Sequence, residues 1–372
     1  MKIAIPTADY APIEGGIGSV SLHLARELSA LGHTVTVIAP WFPDMEEHDA
    51  RESYDVVRFK GYRWGWFRFF PMLLKSRALI RQADLVMGIN ISYGAVMAWL
   101  LRRPYVAFGY AYEFLKFKKM PLASSVLRRV YNRARRVIAI SHYTAYELGE
   151  FGVDSERVSV IFPGAPTARA VTEAEIAEIK KELVLGDGPL VLAVGRLIPR
   201  KGHAALVKAF VPVLEKYPDA RLVCVGRGPS SADAARAAQE SGVRDALRLP
   251  GRMSNRQIAA LYTLCDVFAL PTGEDANGQV EGFGLVFAEA GAYGKPVVAG
   301  RSGGVVDAVQ DGVTGRVVDP TDVNEISVAI QYFLDRPATA QKMGGAGKLR
   351  VETELNWTVF ARKLMEQVGT VS

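Results

Sequence analysis

Thirteen short runs rich in β-branched and aliphatic residues, most of them separated by helix-patterned segments, restrict this chain to one fold class. In the first half they are KIAI (2–5), TVTVIA (34–39), DVVRF (55–59), DLVMGI (84–89), YVAF (105–108), RVIAI (136–140) and VSVIF (158–162). In the second half they are LVLAVG (190–195), RLVCVG (221–226), LRLPG (247–251), VFALP (267–271), PVVAG (296–300) and GRVVD (315–319). Continuously apolar strands are buried on both faces, the condition of a parallel sheet covered by helices. A length of 372 residues accommodates two such sheets. The expectation is an α/β protein with two doubly wound Rossmann-like domains in tandem, joined through FPGAPTARA (162–170). Ligands bind beyond the carboxyl ends of strands in open parallel sheets, so a cleft between two facing domains is the expected site.

Other features narrow the setting. Cys224 and Cys265 sit in separate apolar runs with no CxxC, as buried reduced thiols of a cytoplasmic protein would. MKIAIP reads as a strand rather than a signal peptide. The longest uncharged run, between Asp84 and Arg102, carries Asn90, Ser92 and two glycines. It suits a buried strand and a short helix better than a membrane span. The formal charge is +6, and all of that surplus lies in residues 1–165.

Three segments carry chemistry. VGRLIPRKGH (194–203) follows a strand and precedes the helical pattern AALVKAFVPVLEKY. Gly195 and Gly202 flank Arg196 and Lys201, and two cations beside a helix start make an anion site. The GxxxxGK[ST] order of a P-loop is absent. EGGIGSV (14–20) is a glycine loop after the first strand, but Ser21 breaks GxGxxG and no acid ends the second strand, which disfavours a dehydrogenase. In EGFGLVFAEA (281–290), Glu281 precedes a short helix and Glu289 lies one turn inside it. Backbone N–H groups of Phe283, Gly284 and Leu285 would face an anion between the two carboxylates. Capping and helix-dipole roles are one account of this pair. A ligand with hydroxyls on both sides of a phosphate, such as a sugar nucleotide, is the other. A glycoside hydrolase would need facing carboxylates with no cation clamp. No D-x-D motif or His/Cys cluster suggests a metal.

Taken together, these segments resemble retaining glycosyltransferases of family 4, which have the GT-B architecture. EGFGLVFAEA is similar to that family's E-x7-E motif, GRLIPRKG to its Arg-x4-Lys clamp, and EGGIG to its N-terminal glycine loop. SGGVVDAVQDGVTGRVVDP (302–320) looks like its C-terminal run, with Asp307 where Glu is commoner. LNWTVFARKL (355–364) looks like its closing helix. The resemblance implies an acceptor-binding domain at 1–165, a nucleotide-sugar-binding domain at 166–354, and a helix at about 355–372 crossing back to the first. Arg196 and Lys201 would bind the diphosphate, Glu281 the transferred sugar and Glu289 the ribose. Gly282, Phe283, Gly284 and Leu285 would give backbone contacts, Gly16 would sit against the donor phosphates and the acceptor, and Arg252 and Met253 would line the base. The leaving diphosphate would help deprotonate the acceptor on the same face, with no metal or other cofactor. The bacterial mannosyltransferase group, with GDP-mannose as donor and a lipid-linked or polysaccharide acceptor, is nearest in character. UDP-glucose and UDP-N-acetylglucosamine stay open as donors, as do an epimerase or hydrolase of similar architecture and a non-catalytic sugar-nucleotide sensor.

One segment departs from the family. Where relatives carry His-Gly-x-Glu, this chain has Tyr110 at the His position, followed by Tyr112 and Glu113. Tyr110 and Glu113 are candidate sugar or acceptor contacts, either directly or after a shift to Tyr112-Glu113. His142 reads as a surface or helix-cap residue. Residues 58–81 and 116–136 hold seven and eight cations with no acid, and the first stretch is dense in aromatics. That combination suits peripheral docking on an anionic bilayer at the inner face of the cytoplasmic membrane. Nucleic acid is not expected, because no binding module accompanies the charge.

Overall fold

The computed structural model describes residues 1–11, 15–43, 45–60, 69–118 and 120–369. Every apolar run forms a strand: β1 Lys2–Pro6, β2 Thr34–Pro40, β3 Asp55–Phe59, β4 Leu85–Gly88, β5 Tyr105–Gly109, β6 Arg136–Ala139, β7 Val158–Val160, β8 Leu190–Val194, β9 Arg221–Val225, β10 Leu247–Gly251, β11 Val267–Leu270, β12 Val297–Gly300 and β13 Gly315–Val318. They build two wholly parallel sheets, ordered β3-β2-β1-β4-β5-β6-β7 and β10-β9-β8-β11-β12-β13. Each sheet is doubly wound, and its order reverses beside the first strand. The switch points are therefore β1/β4 and β8/β11, where the carboxyl ends of neighbouring strands feed loops that diverge and leave a crevice.

The chain divides into two units, Met1–Pro163 with Trp357–Ser372, and Gly164–Asn356. In the first, alternate residues of β1 and β5 face opposite sides of the sheet. Ala4 and Ala107 join a core with Met72, Met97, Leu127 and Val130, which belong to the helices Phe69–Gln82, Val96–Leu100 and Pro121–Arg133. Phe108 faces the other side and meets Phe360 of the last helix, Trp357–Val368, at 6.5 Å between ring centroids. Trp357 stacks on His23 of the helix Gly16–Ala30 at 4.9 Å. Burying a side chain such as Phe360, which is fully enclosed, contributes about 2–3 kcal/mol.

Three local expectations change. The helix after β1 begins at Gly16, so Gly16 and Gly18 lie in its first turn rather than in a loop. First-turn N–H groups have no intrahelical acceptor, which makes glycine cheap there. Glu14 of that motif lies outside the described residues. The single helical pattern at 204–217 is broken into His203–Ala209 and Val211–Lys216. Pro212 has no N–H for the preceding turn and starts a new helix instead. Arg58, expected among membrane-facing cations, is buried: its guanidinium forks onto Asp49 at 2.6 and 2.8 Å and donates to the carbonyls of Pro40 and Ala11. Phe59 is core, and residues 61–68 of that stretch lie outside the described residues. Cys224 and Cys265 are free and buried, with burial pushing both thiols up to about 12.

Candidate active site

The β8/β11 switch point gathers the charged residues of the second unit. The chain leaves β8 through Gly195 and Arg196, makes one 3-10 turn, Pro199–Lys201, and enters the helix His203–Ala209. Gly202 caps that turn at φ +70°, and a Cβ there would lie 2.2 Å from the carbonyl oxygen of Pro271, which follows β11. Only glycine lets the two loops close, and their closure buries Lys201. The N–H of Gly273 donates to the Arg200 carbonyl at 2.7 Å, tying the loops again.

Glu281 arrives from the β11 side. Its carbonyl accepts the Gly304 N–H at 2.8 Å, and Gly303, at φ +50°, passes so close that a Cβ would meet that carbonyl at 2.3 Å. One carboxylate oxygen, Oε2, then accepts from two cations, Arg200 Nη1 at 2.7 Å and Lys201 Nζ at 2.7 Å. Burial acts to protonate Glu281, but Lys201 and Arg200 together outweigh it and hold the carboxyl below its usual range. Arg196 is exposed and makes no ion pair among the described residues. The cation that sequence reasoning missed is therefore Arg200, whose only local signal is adjacency to Lys201.

Gly284 caps the helix Leu285–Ala292 at φ +91°, and Glu289 lies inside that helix as expected. Its Oε2 accepts the hydroxyl of Tyr262 at 3.1 Å. Burial raises the Glu289 carboxyl, with Tyr262 and Lys201 opposing only in part. Tyr262 was also missed; it sits on the helix Asn255–Leu264 and stacks on Tyr293 at 5.3 Å. His203, behind Lys201, is buried with neither ring nitrogen partnered among the described residues, and burial plus the Lys201 charge push it down to about 4. It is neutral at physiological pH. Arg252 and Met253 follow β10, the edge strand, Arg252 exposed and Met253 buried.

The first unit has its own cluster at β1/β4. Asn90 Oδ1 accepts from Thr7 Oγ1 at 2.7 Å and from the Ala8 N–H at 2.9 Å, while its amide donates to Asp9 at 3.0 Å. At the end of β5 the Tyr110 N–H donates to Glu113 at 2.5 Å. The Tyr110 hydroxyl is buried without a hydrogen-bond partner among the described residues, and Asp9 and Glu113 raise its pKa further beyond the effect of burial. Burial pushes Glu113 up to about 7 against two backbone N–H bonds. Ala111 holds φ +79°, a left-handed backbone at the place of the glycine in His-Gly-x-Glu. The side chain of Tyr112 lies outside the described residues. His142 is exposed at the start of the helix His142–Glu150, behind its cap Ser141.

Comparison with known proteins places these features among relatives. The family described as glycosyl transferases group 1 matches residues 175–350, and glycosyltransferase family 4 matches residues 14–169. The chain is 33% identical over 378 residues, 97% of its own length and 96% of the relative's, to a GDP-mannose-dependent alpha-(1-6)-phosphatidylinositol monomannoside mannosyltransferase of Mycolicibacterium smegmatis. It is 28% identical to a GDP-mannose-dependent monoacylated alpha-(1-6)-phosphatidylinositol monomannoside mannosyltransferase of Corynebacterium glutamicum, covering 98% and 96% of the two chains. A crystal structure of Anabaena Alr3699/HepE with UDP and glucose superposes with a TM-score of 0.81 over 99% of each chain, at 20% identity.

Proposed function

The chain belongs to the group 1 and family 4 glycosyltransferases and is a glycosyltransferase of GT-B architecture; from that premise we propose that it moves mannose, with retention, from GDP-mannose to a phosphatidylinositol mannoside. The observation that carries the reading is the meeting of Lys201 and Glu281 at the β8/β11 switch point. A phosphate-binding cation and a hydroxyl-binding carboxylate in contact suit a ligand that presents both groups side by side. The relatives' GDP-mannose and phosphatidylinositol mannoside supply the donor and acceptor classes.

In this reading Lys201 and Arg196 grip the diphosphate, aided by the amino end of the helix Leu285–Ala292. Gly195 and residues Gly282, Phe283, Gly284 and Leu285 give backbone contacts. Glu281 binds mannose hydroxyls, Glu289 the ribose, and Arg252 and Met253 the base. Gly16, Tyr110 and Glu113 are assigned to the acceptor-binding unit. The acceptor oxygen bonds to the anomeric carbon as the carbon–oxygen bond to the diphosphate breaks, and its proton passes to a phosphate oxygen on the same face. Charge grows on the phosphate, so preorganised cations and amides lower the barrier, and the reaction is assigned no metal. Titration with GDP, UDP and their sugars decides the base: GDP is expected to raise the melting temperature and UDP to leave it within a degree. The opposite order would replace the donor.

The acceptor class also implies an anionic membrane as partner. No helix among the described residues is long and apolar enough to cross one. Two of the helices that share the core on one face of the first sheet instead present aliphatic residues and cations outward: Phe69–Gln82 exposes Leu74 and Lys75, and Pro121–Arg133 exposes Leu122, at 86%, with Val126, Arg128 and Arg129. Aliphatic anchors among cations suit an interfacial helix, and each cation near an anionic surface contributes about 1 kcal/mol. Reversing Arg128 and Arg129 to Glu should cut partitioning onto phosphatidylinositol-containing vesicles by about tenfold or more. Unchanged partitioning would remove the membrane assignment.

A further inference from the structure

We propose that Arg200 is a positioning residue that keeps Glu281 ionised and in place once the donor has drawn Lys201 to its diphosphate. The inference rests on the reading above, in which Lys201 serves the phosphates and Glu281 the sugar.

Both cations meet one oxygen. Arg200 and Lys201 each lie 2.7 Å from Glu281 Oε2. The two are not equivalent. Lysine is a point charge on a flexible stem and can turn toward a phosphate. The guanidinium of Arg200 is a rigid planar fork, and the Arg200 backbone carbonyl accepts from Gly273 in the loop that leads to Glu281. Arg200 therefore moves with the carboxylate, whereas Lys201 is free to leave it.

The departure of Lys201 has an electrostatic consequence. Burial is the largest influence on Glu281 and favours its protonated form. A protonated carboxyl loses one of its acceptor oxygens and the charge that strengthens bonds from sugar hydroxyls. Once Lys201 points at the diphosphate, Arg200 is the remaining cation bonded to Glu281. Of the other titratable groups against this cluster, Glu289 and His203 face Lys201, and His203 is neutral. Arg196 is exposed and outside the cluster.

The test compares wild type, Arg200→Met, Arg200→Lys and Lys201→Ala in two measurements. One is calorimetric titration with GDP; the other is the pH profile of kcat at saturating GDP-mannose, with phosphatidylinositol monomannoside as acceptor. Removing the Arg200 charge raises the pKa of Glu281, so the acid limb moves to higher pH. For Arg200→Met the limb should rise by about one pH unit. On the acid side of both limbs kcat should fall by about tenfold, and at pH 8 it should stay within about threefold of wild type. GDP affinity should change by less than about threefold, since GDP carries no mannose. Arg200→Lys should restore the wild-type limb, which a purely structural role would not do. If Arg200→Met does not fold, Arg200→Gln keeps a donor without the charge and should show the same displacement. An acid limb coincident with wild type in either variant overturns the proposal. Lys201→Ala reports separately: unchanged GDP affinity there would sink the reading of the site itself, whatever Arg200 does.

Discussion

Lys201→Ala is expected to lower kcat by about 10³-fold while the protein stays folded. Removing one preorganised donor from developing charge costs about 10²–10³ in rate. Lys201 sits at the upper end because its whole ammonium is lost and the site is shielded: the side chain is 8% exposed. Stability should suffer little. Glu281 keeps Arg200 at 2.7 Å, so the substitution leaves no orphaned carboxylate. The check is single-turnover transfer from GDP-mannose, with the far-ultraviolet spectrum as the control for folding. A rate within tenfold of wild type would take Lys201 out of the chemistry.

Glu281→Ala should separate binding from turnover. Loss of the sugar-holding carboxylate is expected to reduce kcat/KM by about 10²-fold or more. GDP, however, should bind more tightly, by about tenfold or more. In the wild type Lys201 must give up its contact with Glu281 before it closes on phosphate, and a hydrogen bond to a charged group is worth roughly 1.5–3 kcal/mol. Without Glu281 that cost disappears. Arg200 and Lys201 then lie together unpaired, and leaving largely buried charge uncompensated should lower the melting temperature of the protein without GDP by several degrees. GDP should restore more of that loss than it adds to wild type, because its phosphates replace the missing anion. Weaker GDP binding than wild type would show that Glu281 does not restrain Lys201.

The Tyr110 segment shows how far local sequence reaches. The replacement of His by Tyr is visible in the chain, but its consequence is not. A hydroxyl buried without a hydrogen-bond partner among the described residues, on a tyrosine whose backbone N–H donates to Glu113 and whose pKa is raised by burial, Glu113 and Asp9, depends on strands β1 and β5 ending at the same edge of one sheet. Arg58 makes the same point in reverse. As one cation in a basic, aromatic stretch it reads as surface, yet β3 turns it inward onto Asp49. Composition reports how many charges a segment carries, and strand pleat reports which of them face water.

Periodicity and spacing act over a few residues, so the strands, the two parallel sheets and the short helix behind EGFG could be read from the chain alone, whereas the roles expected of Lys201, Glu281 and Glu289 came from the family resemblance. Arg200 and Glu281 are 81 positions apart, and Tyr262 and Glu289 are 27 apart on separate helices. Their bonds exist because β8 and β11 are hydrogen-bonded neighbours and glycines let the following loops touch. That Arg200 joins Lys201 on the carboxylate was decided there, since a charge pairs with whatever packing brings within about 3 Å.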